Sequence, residues 1–311
     1  MRQTLLFTLL AFAYQTTSGQ SLLETFGSGA NQFTMDFVTI GNPGNAADTT
    51  GSPNPVGSVA YTYNLGKYEV SRDMITKANT AGSLGITLQD MTTFGGNGVN
   101  RPATGISWYE AAKFVNWLNT STGGTAAYKF VGGTFQLWSA GDAGYNASNL
   151  FRNSLAKYWL PSRNEWYKGA YGKADGSWSN FPNGTDSAPT AVVSGTAANT
   201  AVFNGLSGSP ADITSAGGLS AYGTMGQAGN VWELNESAFD GSNDTAGESR
   251  ELRGAGWENG SNSFVASYRL GLDPTSEGRD NGFRVASVPE PSALSLLAIG
   301  LGGLALVRRR K

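Results

Sequence analysis

No position in this 311-residue chain is a cysteine or a histidine. A fold without cysteine has no disulfide to constrain its unfolded state, so its stability must come from a packed core. The lack of both residue types also closes most nucleophilic, proton-shuttling and soft-metal chemistry, which runs on thiolate or imidazole. Carboxylates, tyrosines, lysines and backbone oxygens remain. Hydrophobic residues make up 40% of the chain and aromatic residues 11%, enough for one large domain or two small ones. The 43 glycines recur in Gly-Asn, Gly-Ser and Gly-Thr pairs that mark turns and long loops. Such a composition suits a loop-rich α+β domain.

The two ends address the chain. Met1-Arg2 is a positive start, Leu5 to Tyr14 is an apolar stretch too short to cross a bilayer, and small residues follow at Thr17, Ser18 and Gly19. This is the layout of a secretory signal peptide over residues 1–20, cleaved near Gly19 or Gln20. At the other end, Val288-Pro289-Glu290-Pro291 precedes an apolar run from Ala293 to Val307 and then Arg308-Arg309-Arg310-Lys311. This segment, 289–311, resembles the PEP-CTERM sorting signal of Gram-negative bacteria. The resemblance implies export to the cell envelope or exterior and a transient membrane contact through the C-terminal helix. It also implies cleavage near Pro289, Glu290 and Pro291 by an exosortase-type protease. An apolar helix from Ala293 to Val307 is about 23 Å long, short of the ~30 Å hydrocarbon core, so the arginines would snorkel and stay cytoplasmic. A permanent single-span tail is the alternative.

Without the signal peptide and the tail beyond Pro291, the 21 basic residues lose Arg2, Arg308, Arg309, Arg310 and Lys311, leaving 16 against 23 acidic ones, a net charge of −7. An acidic body argues against nucleic acid or an anionic membrane face as partner.

In the body, two helices start at capping boxes. Ser107-Trp108-Tyr109-Glu110 opens one whose Trp108, Ala111, Ala112, Val115 and Leu118 share a face. Ser162-Arg163-Asn164-Glu165, after Pro161, opens another carrying Trp166 and Ala170. A third helix is expected from Ser71 to about Ala81, with Met74, Ile75 and Ala78 inward and Gly82 as its stop. Strands are expected at Phe33 to Ile40, Ala60 to Leu65 and Gly229 to Leu234. Residues 172–222 are mostly small and polar, an extended loop. A loop that long in a compact domain carries a binding surface or is pinned by an ion.

These segments form an ordered series. Gly66-Lys67-Tyr68-Glu69-Val70 leads to Ile106-Ser107-Trp108-Tyr109-Glu110-Ala111-Ala112, and Tyr158-Trp159-Leu160-Pro161-Ser162-Arg163-Asn164-Glu165-Trp166 follows. Then come Gly229-Asn230-Val231-Trp232-Glu233-Leu234, Leu252-Arg253-Gly254-Ala255-Gly256-Trp257 and Asn281-Gly282-Phe283-Arg284-Val285-Ala286. The series resembles the formylglycine-generating-enzyme, or sulfatase-modifying-factor, domain over nearly the whole body, assigned here to residues 21–288. The resemblance implies an α+β, C-type-lectin-like fold with small sheets, few helices and much irregular loop.

The resemblance also implies a copper site, built from two cysteines after the Arg253 block. Here those positions fall on Asn259 and Phe264. Neither is a thiolate, which soft Cu(I) requires. The histidine-ligated iron of the related sulfoxide synthases is equally closed, so neither copper nor iron is expected. Calcium takes oxygen ligands and stays open. The resemblance places one calcium set at Glu233 with the carbonyls of Gln227, Gly229 and Val231, although its upstream side-chain position falls on Gly226. A second set starts at Asn199 and Thr200, with Asp212 as its carboxylate. The plainer reading of Glu233 is a buried carboxylate that caps loop amides.

Three further groups are weighed. Trp108, Trp117, Trp159, Trp166, Trp232 and Trp257 form either a carbohydrate platform or the core, and core is favoured. Asp240, Asp244, Glu248 and Glu251 read as a solvated acidic face, with an ion site as the alternative. Arg253, Arg269 and Arg284 read as internal ion pairs with Asp273 and Asp280. The expected function is that of an exported, non-catalytic module binding extracellular polysaccharide or a surface protein. The alternative is a formylglycine-generating-type oxidoreductase or other enzyme acting on a protein in a groove lined by Trp257, Asn259 and Phe264; a structural matrix component is a third reading.

Overall fold

The structure is a computed structural model that describes residues 21–289. The signal-peptide segment and the tail from Glu290 onward, including Pro291 and Arg308 to Arg310, lie outside the described residues. In chain order the strands are β1 (Ser21–Phe26), β2 (Phe33–Ile40), β3 (Tyr63–Gly66), β4 (Lys129–Val131), β5 (Thr134–Gln136), β6 (Tyr158–Trp159) and β7 (Thr190–Ala191). They continue with β8 (Thr200–Ala201), β9 (Trp232–Ala238), β10 (Arg250–Arg253), β11 (Leu270–Leu272), β12 (Asn281–Gly282) and β13 (Ala286–Ser287). The α-helices are α1 (Arg72–Gly82), α2 (Trp108–Ser121) and α3 (Arg163–Tyr171).

One sheet runs β1-β2-β3-β13-β6, so the first and last strands of the domain share it. A second runs β11-β10-β9-β12, antiparallel except where β12 lies parallel to β9, and β4–β5 and β7–β8 form two further two-stranded sheets. Long connecting segments join these small sheets, an α+β architecture.

Both capping boxes close as the sequence requires. Ser107 Oγ accepts from the Glu110 amide at 3.3 Å while Glu110 Oε2 accepts from the Ser107 amide at 3.0 Å. Ser162 and Glu165 repeat the exchange at 3.3 and 2.6 Å. Each box satisfies two of the amides that a helix start leaves free. The face of α2 predicted to be apolar is buried throughout, and all six weighed tryptophans are buried, which settles them as core.

Four local expectations change. The third helix ends not in a glycine stop but at Ser83, which takes the left-handed conformation at φ 50. Gly82 is small for another reason: a Cβ there would lie 2.4 Å from the Trp117 ring. The strand expected from Ala60 begins at Tyr63, and that expected from Gly229 begins at Trp232. Gly229 and Asn230 have φ of 79 and 65, a turn that no strand accommodates. Strand β1 was not foreseen, because Glu24 points inward and breaks the alternation. Lys157 meets it at 2.9 Å and the Tyr158 hydroxyl donates to it.

The long loop at 172–222 is ordered by hydrogen bonds rather than left as an excursion. The Asn204 amide donates to Asn259 O, the Gly205 amide to Trp257 O and the Asn230 amide to Val202 O, each at 2.8 Å, and the Ile213 amide donates to Asn100 O at 2.9 Å. Backbone hydrogen bonds thus pin the loop to the rest of the domain.

Candidate functional site

Strand β9 carries Glu233 into the centre of the domain. Its carboxylate accepts from Arg284 Nε at 2.6 Å and Nη2 at 2.5 Å, and from Trp166 Nε1 at 2.7 Å. Arg284 places its remaining donors on Gly66 O at 2.8 Å, Lys67 O at 3.3 Å and Met225 O at 2.8 Å. Both side chains are fully buried. All five guanidinium N–H groups therefore have acceptors, the condition under which a buried pair repays its desolvation.

Beside this pair stands a second buried acid that the sequence reading quoted but did not single out. Glu69 accepts from Asn230 Nδ2 at 3.0 and 2.8 Å and from the Val231 amide. A Cβ on Gly226, the position expected to lack a calcium ligand, would meet the Glu69 carboxylate at 2.9–3.0 Å. Glu69 thus fills the space that the missing side chain leaves. Burial, and then the neighbouring Glu233 charge, push its pKa well above the usual carboxylate range.

The first calcium set does not fit this arrangement. The Glu233 oxygens, which were to join the backbone carbonyls of Gln227, Gly229 and Val231, belong to Arg284 and Trp166. A divalent ion would have to displace a guanidinium from a site built around it. The members of the second set each have a partner within the protein. The Thr200 carbonyl accepts the Gly218 amide at 2.8 Å, the Asn199 carbonyl accepts the Thr190 amide at 2.8 Å, and Asp212 faces Arg101 at 3.5 Å. Among the described residues, no group of three or more Asp or Glu side chains is placed to hold a metal.

The two positions where the resemblance puts thiolates are also built for packing. Asn259 Oδ1 caps the Gly256 amide at 2.8 Å. Phe264 is buried, with the Phe181 and Phe203 rings edge-on at 6.0 and 5.0 Å. The loop through Asn204 and Gly205 bonds down onto this block, and Trp257 is fully buried. The groove expected along Trp257, Asn259 and Phe264 is therefore filled by aromatic side chains and covered by loop. The donor chemistry does not fit copper or iron.

The expected arginine–aspartate pairs are corrected. Arg253 Nε meets Glu251 at 2.6 Å, Arg163 Nε meets it at 2.5 Å and Arg269 Nη1 at 3.1 Å, while Arg284 takes Glu233. Glu251 is fully buried and so is no part of a solvated acidic face, although Asp240 and Asp244 are exposed. Asp273 instead caps a turn, accepting from the Thr275 amide at 2.9 Å, and the Asp280 carboxylate stands beside Gly256. Aspartate is too short to reach these interior guanidinium groups from surface turns.

An open groove lies elsewhere. A groove of about 550 Å³ separates the outward face of the β1–β2 hairpin from α1. Leu23, Thr34 and Asp36 form its floor, Asp73, Met74 and Lys77 one wall, and Asn100 and Thr214 the far rim. A second opening of about 300 Å³ lies beside Val288, where the tail leaves the domain.

Two small twisted sheets, three helices and long ordered loops around a buried Glu–Arg centre define the C-type-lectin-like, formylglycine-generating-enzyme fold class. Residues 31–288 match the sulfatase-modifying factor enzyme 1-like domain, and the chain belongs to that family. Residues 287–311 match the PEP-CTERM protein-sorting motif, which marks the protein for export to the Gram-negative cell envelope or surface and for processing by an exosortase. No curated protein matches the chain. Among solved structures, Treponema denticola variable protein 1 is similar at 20% identity and a TM-score of 0.57, over 86% of this chain and 99% of that one. CarF is similar at 17% identity and 0.59, over 82% and 99%. PvdO from Pseudomonas aeruginosa is similar at 17% identity and 0.56, over 88% and 100%. At these identities the likeness speaks for the fold alone. Among the described residues no helix is long and apolar enough to cross a membrane.

Proposed function

We propose that the mature protein is an exported, non-catalytic recognition module that uses the family fold to bind a partner or polysaccharide at the cell surface or in the extracellular matrix. The observation that carries this reading is Phe264. A family position expected to hold a metal-binding thiolate holds a phenyl ring wedged between Phe181 and Phe203, with a loop bonded over it. Asn259, at the partner position, spends its side-chain oxygen on the Gly256 amide. An oxygenase of this kind needs an open soft-metal seat facing substrate, and this place is closed by packing. Calcium is not part of the reading, because the Glu233 oxygens are held by Arg284.

The test uses the secreted, processed protein. Cu(I) is titrated against a competing chelator, and oxygen uptake is followed with a cysteine-containing peptide. Neither stoichiometric copper uptake nor oxygen consumption above the buffer rate is expected. Metal-dependent turnover of the peptide would overturn the proposal.

A further inference from the structure

We infer that the groove between the β1–β2 hairpin and α1 is the recognition site and that its ligand is an uncharged polysaccharide. The inference rests on the recognition-module reading and supplies its site and ligand class. Ligand sites span about 300–1,000 Å³, and this groove, at about 550 Å³, has room for a short run of sugar rings.

Charge narrows the ligand first. The groove's carboxylates already have partners: Asp36 lies 3.5 Å from Lys67, and Asp73 lies 2.7 Å from Lys77 in the next turn of α1. Positive and negative charges cancel, so neither an anionic polymer nor a cationic peptide gains a field to bind in. The second constraint is hydrogen bonding. Among the described residues, the side chains of Gln32, Thr34, Asn100 and Thr214 make no hydrogen bond within the protein, and all four line the groove. Two amides and two hydroxyls both donate and accept, as the hydroxyl groups of a sugar do. The third constraint is the apolar surface. It is divided among Leu23, Met74 and the Tyr68 ring. Leu23 is 68% exposed. A protein interface concentrates its energy in a buried aromatic or arginine anchor, whereas small separated patches suit the C–H faces of pyranose rings. These residues reach the groove from the hairpin, the start of α1 and the two loops joined by the Ile213–Asn100 bond, so the donor set is held by ordered backbone.

The experiment is affinity electrophoresis of the secreted, processed protein through gels containing dextran, a galactomannan or a soluble glucan, with alginate as an acidic control. Retardation by at least one neutral polymer is expected, with none by alginate. Gln32→Ala/Asn100→Ala removes two amides that no other part of the protein uses. It should leave the melting temperature unchanged and weaken binding about ten- to hundredfold, the loss of two ordinary hydrogen bonds. Thr34→Trp, which fills the floor, should abolish retardation. Neutral-polymer binding that both variants retain would overturn this inference, as would retardation by alginate alone or by none of the polymers. Each of those results leaves the copper and oxygen test of the recognition-module reading to stand or fall separately.

Discussion

The Arg284–Glu233 centre gives the sharpest prediction, because its cost can be worked bond by bond. Glu233→Gln keeps the shape but turns one acceptor into a donor. That NH₂ faces Arg284 Nη2 in one orientation and both Arg284 Nε and Trp166 Nε1 in the other, donors now 2.5–2.7 Å from carboxylate oxygens. Breaking a buried pair from one side costs about 3–5 kcal/mol. In a domain of this size that lowers Tm by roughly 6–20 °C, a large share of a total stability of about 5–15 kcal/mol. The double substitution Glu233→Leu/Arg284→Met decides whether this is only a charge effect. Many buried pairs can be exchanged for apolar residues without loss. Here the exchange also strips the carbonyls of Gly66 and Met225 and the indole of Trp166 of their Arg284 and Glu233 partners, while the Lys67 carbonyl keeps the Met225 amide at 2.8 Å. Three such groups at about 1–3 kcal/mol each leave the double variant destabilised by roughly 3 kcal/mol or more. Thermal and urea unfolding of wild type, both single variants and the double would read this directly. A double variant as stable as wild type would refute the argument. So would a millimolar-calcium rise in wild-type Tm that Glu233→Gln abolishes, since that would show the oxygens free to take an ion.

Three further predictions concern residues outside that centre. Burial pushes the Lys168 ammonium pKa down from 10.5 to about 8, with only the Asn42 carbonyl at 2.8 Å as partner. Its folded pKa lies below its unfolded one, so the penalty is complete below about pH 8 and fades as pH rises toward 10.5. Lys168→Met should therefore raise Tm at pH 7 with a gain that shrinks toward pH 10, and a pH-independent gain would count against this account. Arg250 is buried with its guanidinium 4.0 Å from the Phe151 ring centre and 4.5 Å from that of Trp108, and no carboxylate pairs with it. Arg250→Lys loses the planar stacking but keeps the charge, and should cost about 2–4 kcal/mol in urea unfolding, more than Arg250→Met. Ser162→Ala opens the second capping box and should cost about 0.5–2 kcal/mol, with a matching fall in Tm.

What the sequence made legible follows from the range of the forces involved. Helix starts were readable because a capping box is closed by residues three apart, and both boxes close as written. The absence of thiolate at residues 259 and 264 is readable because it belongs to a residue type, and Asn259 and Phe264 do not supply one. Interior charges were not readable. Glu69, Glu165, Glu233, Glu236 and Glu251 are all essentially buried, although a lone glutamate ordinarily reads as surface. Each is admitted by partners far along the chain: Asn230 for Glu69, Arg284 for Glu233, Arg163 and Arg269 for Glu251 beside the nearby Arg253, and Arg152 for Glu165 and Glu236. Such networks exist only after the two sheets close, so no local pattern announces them. The groove was hidden for the same reason. Its free amides and hydroxyls lie near residues 32, 34, 100 and 214, unremarkable singly, and only the folded backbone gathers them. In a chain with only 14% charged residues, much of the charge is turned inward, and the groove's own carboxylates, Asp36 and Asp73, are matched by Lys67 and Lys77, so the proposed ligand is an uncharged one.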